Sequence, residues 1–212
     1  MPVSFLFDGP EDARVTIMLA HGAGAPMDSA SMNATAKALA DAGLRVARFE
    51  FGYMAARRTE DGRRPPPRAE SVMHEYVEAV DDLGPTNGIL LIGGKSMGGR
   101  VASMVADKLF DAKRIAGLVC LGYPFHPPAK PDQLRTRHLV GLETPALIVQ
   151  GTRDEFGVPD EVSGYDLSEK IAVHWVEDGD HDLKPRKSVT GFGQAEALRQ
   201  VAATVKDWAA KL

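Results

Sequence analysis

Ile89-Leu90-Leu91-Ile92-Gly93-Gly94-Lys95-Ser96-Met97-Gly98-Gly99-Arg100-Val101-Ala102 is the stretch on which the fold is read. Its four leading apolar residues read as a fully buried strand. From Met97 to about Phe110, Val101, Met104, Val105 and Leu109 recur at helical spacing. Between strand and helix sits Gly94-x-Ser96-x-Gly98, in the strand–turn–helix context that a nucleophile elbow requires. A strand that turns into a helix within about two residues brings flanking backbone into contact, and a Cβ on either side would clash. The turn places the serine in strained backbone space, with its hydroxyl proud of the sheet. Ser96 then stands at a helix N-terminus, where free N–H groups and the dipole favour an oxyanion. A glycine-rich turn of no special chemistry is the competing reading. The rest of the chain decides between them.

Upstream, residues 3–7 alternate weakly as an edge strand closed by Asp8-Gly9-Pro10. Residues 15–20 read as a buried strand ending at His21-Gly22-Ala23-Gly24-Ala25-Pro26. Asp28 or Ser29 caps a helix expected to run to about Ala42, with Gly43 as its stop. The next strand is expected over 44–51. Residues 52–68, with five arginines and Pro65-Pro66-Pro67, read as an exposed loop, and 69–83 as an amphipathic helix ended by Gly84-Pro85. Downstream, residues 115–121, 146–150 and 171–176 read as strands. The proline-rich segment 122–144 has room for at most a short helix near 133–140, and 194–210 reads as the closing helix. Strands alternate with helices throughout, which predicts an α/β fold with a mostly parallel, doubly wound sheet of about seven strands.

The 212 residues fit one domain spanning 1–212 with a sizeable core. Net charge is −4, which argues against general binding to nucleic acid or to an anionic membrane. The lone Cys120 lies in an apolar run, so neither a disulfide framework nor a cysteine metal site is expected. No run approaches membrane-spanning length, and no charged segment followed by an apolar stretch opens the chain. A cytoplasmic protein is the expectation.

An activated serine needs a base to take its proton and a carboxylate to orient that base. In a parallel sheet such groups come from loops at the C-terminal strand ends, which open on one edge. Asp154 follows the strand 146–150, and His181 follows 171–176, so both emerge on the edge of Ser96. The order Ser96, Asp154, His181 is that of the α/β-hydrolase triad. Rival bases fare worse: His174 lies within a strand, His74 on a surface helix, and His126 and His138 in the loop after the Cys120 strand. Glu155 and Asp160 are the rival acids. The glycine-rich loop after residue 20 can aim a backbone N–H at the nucleophile. Ala23 is the expected first oxyanion donor, with Gly24 as the alternative, and Met97 the second. The ring of His21 is expected to prop that loop through a hydrogen bond.

These motifs resemble the α/β-hydrolase superfamily. Longer stretches resemble its small dienelactone-hydrolase-like branch, which includes testis-expressed protein thirty and the third subunit of the NSL acetyltransferase complex. They are His21-Gly22-Ala23-Gly24, Phe49-Glu50-Phe51-Gly52-Tyr53-Met54, Gly62-Arg63-Arg64-Pro65-Pro66-Pro67, residues 93–100, Gly122-Tyr123-Pro124-Phe125-His126-Pro127-Pro128, Gln150-Gly151-Thr152-Arg153-Asp154 and Gly179-Asp180-His181. They cover most of the chain in the right order. The resemblance implies the fold and the triad positions; it says less about the substrate, because the branch also contains scaffold proteins.

The segment 122–144 is too short for the helical cap that larger relatives insert there, so an uncapped site suited to small acyl groups is expected. The arginine-rich segment has two readings: a solvated face, or a loop that pairs with an anionic substrate. Arg63, Arg64 and His126 are accordingly candidate substrate contacts. The expectation is a serine hydrolase cleaving a small carboxylic ester or related acyl compound through an acyl-enzyme. It would need no cofactor and no metal. The alternative is a hydrolase-fold protein-interaction module with little or no catalysis.

Overall fold

The computed structural model describes residues 2–59 and 65–212. Seven strands form one sheet in the order β1 (Phe5–Asp8), β3 (Arg45–Phe49), β2 (Val15–Ala20), β4 (Ile89–Lys95), β5 (Gly117–Leu121), β6 (Ala146–Gly151), β7 (Ile171–Val176). β1 runs antiparallel to β3, and every other pair is parallel. β4, the strand carrying the elbow, is central. Its neighbours place the ends of β2 and β5 on either side of Ser96.

The central strands are apolar on both faces because helices cover both. In β2, Met18 and Ala20 face one core and Ile17 and Leu19 the other; Leu90 and Ile92 of β4 oppose Leu91 in the same way. The first core is closed by α3 (Met73–Leu83) and α4 (Met97–Asp111), through Tyr76, Val80, Val101 and Val105. The second is closed by α1 (Ala30–Asp41) and α7 (Gln194–Ala209), through Met32, Leu39, Leu198 and Val201. α1 starts at Ser29, whose hydroxyl accepts the Met32 N–H.

The expected elements are present with local differences. The 44–51 strand is shorter, Arg45–Phe49, and the segment after it is not loop throughout. Residues Gly52–Ala56 form a short helix, α2, with Phe51 and Met54 buried beneath it and the Gly52 N–H donated to Glu75 at 2.6 Å. The helix expected over 69–83 begins as a 3₁₀ turn, Ala69–Val72, before α3. No helix forms at 133–140, because the amides there turn back on themselves: Gln133 donates to Lys130 O and Arg135 to Phe125 O. Two further short helices, α5 (Pro159–Val162) and α6 (Lys187–Thr190), flank β7 in sequence. Residues 122–145 form turns and contain no cap helix. Among the described residues, no helix is long and apolar enough to cross a membrane.

Candidate active site

The elbow is strained where it was expected to be. Ser96 caps α4 with φ 51° and ψ −116°, a conformation that side-chain-bearing residues rarely hold. The glycines around it answer to contact. A Cβ on Gly98 would stand 2.5 Å from Ala20 O and 2.6 Å from His21 O, and one on Gly94 would stand 2.6 Å from Ala20 O. These are backbone atoms of the adjacent strand, so they cannot yield. The turn is tied to β5 by a 3.0 Å bond from Ser96 N–H to Leu121 O.

Asp154 and His181 meet. The imidazole Nδ1 lies 2.9 Å from Asp154 Oδ2 and 3.0 Å from Oδ1. Asp154 is fully buried, and its two oxygens also accept the Gln150 side-chain amide at 2.9 Å and the Phe156 N–H at 3.0 Å. Gln150 is itself fully buried in β6, where it accepts the Tyr123 N–H and donates to Tyr123 O. Asp154 is thus held by three donors, the imidazole, the Gln150 amide and the Phe156 N–H. The Phe156 ring lies 4.2 Å from the His181 ring, tilted by 30°, and limits its rotation. Sequence reasoning missed Gln150 and Phe156; the polar Gln150 in an otherwise apolar strand was the available signal.

The loops bearing Asp154 and His181 are zipped together. Thr152 and Arg153 donate their backbone N–H groups to Val176 O and Gly179 O, and Asp178 bridges Arg153 and Arg186. His181 also packs on the strand beside the elbow: a Cβ on Gly122 would meet its ring at 3.3 Å. Lys95, immediately before Ser96, adds a second tie. Its ammonium donates to His181 O at 2.8 Å and pairs with Asp182 at 2.8 Å while only 15% exposed. Among the described residues, His181 Nε2 makes no hydrogen bond, and Ser96 Oγ is not directly bonded to it.

On the opposite side of the elbow, His21 props its loop as expected. Burial keeps its imidazole below the ordinary range, hence neutral. Nε2 accepts the Phe51 N–H at 3.2 Å, which leaves Nδ1–H to donate to Gly22 O at 2.6 Å. That carbonyl belongs to the planar peptide whose other end is the Ala23 N–H, so the bond aims this N–H away from the ring. The Tyr53 hydroxyl donates to Ala23 O at 3.0 Å and fixes the following peptide, which ends in the Gly24 N–H. Neither Ala23 nor Met97 donates its N–H within the protein among the described residues. Both are therefore available.

The remaining candidates fall elsewhere. His126 is 2% exposed, with Nδ1 2.9 Å from Pro127 O and Nε2 3.1 Å from Glu161, so both ring nitrogens are spent inside the protein. Here His126 ties the loop after β5 to α5. Arg63 and Arg64 lie outside the described residues. Of the neighbouring arginines, Arg58 pairs with Asp28 and Glu50, and Arg57 lies over the Tyr53 ring. No group of three or more His, Cys, Asp or Glu side chains among the described residues is arranged to hold a metal ion.

A strained serine elbow at the centre of this sheet, with a buried carboxylate–imidazole pair on the same edge, defines an α/β-hydrolase. The chain belongs to the alpha/beta hydrolase domain family, which it matches over residues 13–210. Among solved structures it is similar to a lidless α/β serine hydrolase from Xanthomonas campestris, with 19% identity, TM-score 0.68, and 99% of this chain and 88% of that one covered. The dienelactone hydrolase from Anabaena variabilis has the same identity and TM-score, with 97% and 90% covered. The ferulic-acid-bound Est1E of Butyrivibrio proteoclasticus has 16% identity and TM-score 0.66, with 95% and 94% covered. At these identities the likeness is one of fold.

Proposed function

We propose that this protein is a serine hydrolase acting on a small carboxylic ester or a related acyl compound, through the triad Ser96–His181–Asp154. The observation that carries the proposal is the Asp154–His181 pair, buried on the acid side and open at Nε2, on the sheet edge where the Ser96 elbow is strained outward. Ser96 Oγ attacks the acyl carbon while its proton passes to His181 Nε2. The carbonyl electrons move to oxygen, and the N–H groups of Ala23 and Met97 bind the oxyanion. The tetrahedral intermediate then collapses. The bond to the leaving oxygen breaks, and that oxygen takes the proton from Nε2. Water, giving a proton to the same nitrogen, attacks the acyl carbon; the bond to Ser96 Oγ then breaks, Oγ takes that proton from Nε2, and the carboxylic acid leaves. The missing direct Ser96–His181 bond is compatible with this scheme, since such bonds often tighten only when substrate is bound.

The same reading places the chain in the small dienelactone-hydrolase-like branch with testis-expressed protein thirty and the NSL third subunit, supported by the ordered stretches quoted above. Substrates with short or accessible acyl groups fit an edge that carries no cap between β5 and β6. A fluorophosphonate probe should label the wild type at Ser96 and leave Ser96→Ala unlabelled. Absence of labelling in the folded wild type would sink the enzyme reading and favour an interaction module.

A further inference from the structure

Away from the triad, the loop 134–138, the first turns of α4 and the 3₁₀ turn at Ala69–Val72 enclose an open cleft of about 370 Å³. None of Ser96, Asp154 and His181 lines it. Its charge is unbalanced. Arg100, Arg135 and Arg137 face it with a single carboxylate, Glu70. That carboxylate is spent on Arg100, at 2.6 Å, and the Arg100 Nε is buried with no partner. Among the described residues, the side chains of Arg135 and Arg137 make no hydrogen bond and no ion pair. Burial, and then the nearby Arg100, push the Arg135 guanidinium below its usual value, which marks the site as one that crowds cations.

His138, on the same wall, adds no charge near neutral pH. Burial, and then Arg100, bring its imidazole down to about 4, and its Nε2 lies 2.8 Å from the Ser103 hydroxyl. The positive character is therefore set by guanidinium groups alone. Met104 and Leu134 complete the lining, and Leu134 is 47% exposed, an apolar surface beside the cations. Guanidinium forks match carboxylate and phosphate oxygens, and partial burial strengthens the match relative to open water. The volume lies within the range of small-ligand pockets.

We propose that this cleft binds a small oxyanion, a carboxylate or phosphate carried on a short apolar group, with Arg100, Arg135 and Arg137 holding the anion and Met104 and Leu134 the apolar part. The site stands independently of the catalytic reading.

Calorimetric titration of the full chain with hexanoate, hexyl phosphate and inorganic phosphate tests it. At least one of the organic anions binds saturably, more weakly as salt is added, and the tighter of the two identifies the headgroup. Arg137→Ala, at an exposed position that the fold tolerates, weakens binding at least about tenfold, and Arg135→Ala does the same. Glu70→Gln has the opposite effect and tightens binding, because it removes the competing carboxylate and frees Arg100. Circular dichroism confirms that each variant is folded. The proposal is overturned by absence of saturable binding, by wild-type affinity in both arginine variants, by weaker binding in Glu70→Gln, or by inorganic phosphate matching the organic anions.

Discussion

At the scale of single residues, Asp154 is the most constrained member of the candidate site. Asp154 has no exposed surface and three kinds of donor, so its carboxylate orients His181 without moving. Under the proposed mechanism, Asp154→Asn keeps the shape but offers Nδ1 the wrong partner. kcat should fall on the order of 10³–10⁴-fold, with the melting temperature little changed. Turnover near the wild-type level would move the orienting role to another carboxylate. Lys95 acts one step further out. It touches the backbone of His181 and not its ring, so under the proposed mechanism it is a positioning residue. Lys95→Met should lower kcat by about ten- to a hundredfold with KM nearly constant, since a small displacement of the base is costly. Lys95→Arg should recover part of the loss. Equal changes in kcat and KM, or no recovery with arginine, would count against the positioning role.

At the scale of elements, the elbow is a contact between α4 and β2 as much as a turn. Gly98→Ala drives a methyl group into Ala20 O and His21 O, both backbone, and should cost about 3 kcal/mol or more in urea denaturation. A loss under about 1 kcal/mol would show that the elbow can relax. This element was legible in the sequence because its signal is local: the glycine spacing, the apolar run before it and the helical run after it lie within about twenty residues of one another. The positions of Asp154 and His181 were legible for a related reason, since each directly follows a strand. What stayed hidden depends on partners far along the chain. Nothing near Gly52 announces α2, whose first N–H is held by Glu75, and nothing near 133–140 shows that Arg135 donates to Phe125 O instead of to a helical partner. His126 looked like a loop histidine free for substrate; the carboxylate that occupies it lies 35 residues away.

At the scale of the whole molecule, three histidines whose proton affinity is lowered by burial contribute to the loss of stability in acid. His138 titrates at about 4 in the folded protein, with burial first and Arg100 second among the causes, against an ordinary value near 6.5. Its folded-state affinity for a proton is thus depressed, so the unfolded chain takes the proton first. The associated stability is whole above about 6.5, drains as pH falls from 6.5 towards 4, and is spent below that. His21 and His174, also lowered by burial, add slope in the same direction. Each group contributes at most about 1.4 kcal/mol per pH unit, and less for His138, whose ring is partly open to solvent. Denaturation midpoints collected from pH 7 to 4.5 should fall for the wild type and fall less steeply for His138→Gln. Identical slopes would remove His138 from the account.

The zipped loops after β6 and β7 have a consequence for motion. The amides of Thr152, Arg153 and Gly179 lie outside the strands, yet each is bonded to a carbonyl of β7 or of the loop that follows it. In deuterated solvent they should exchange with the sheet and not with the surface turns at 127–133, so the two loops belong to the same cooperative unit as the strands they leave. A site held in that way is assembled before substrate arrives, and loosening it would mean opening the edge of the sheet.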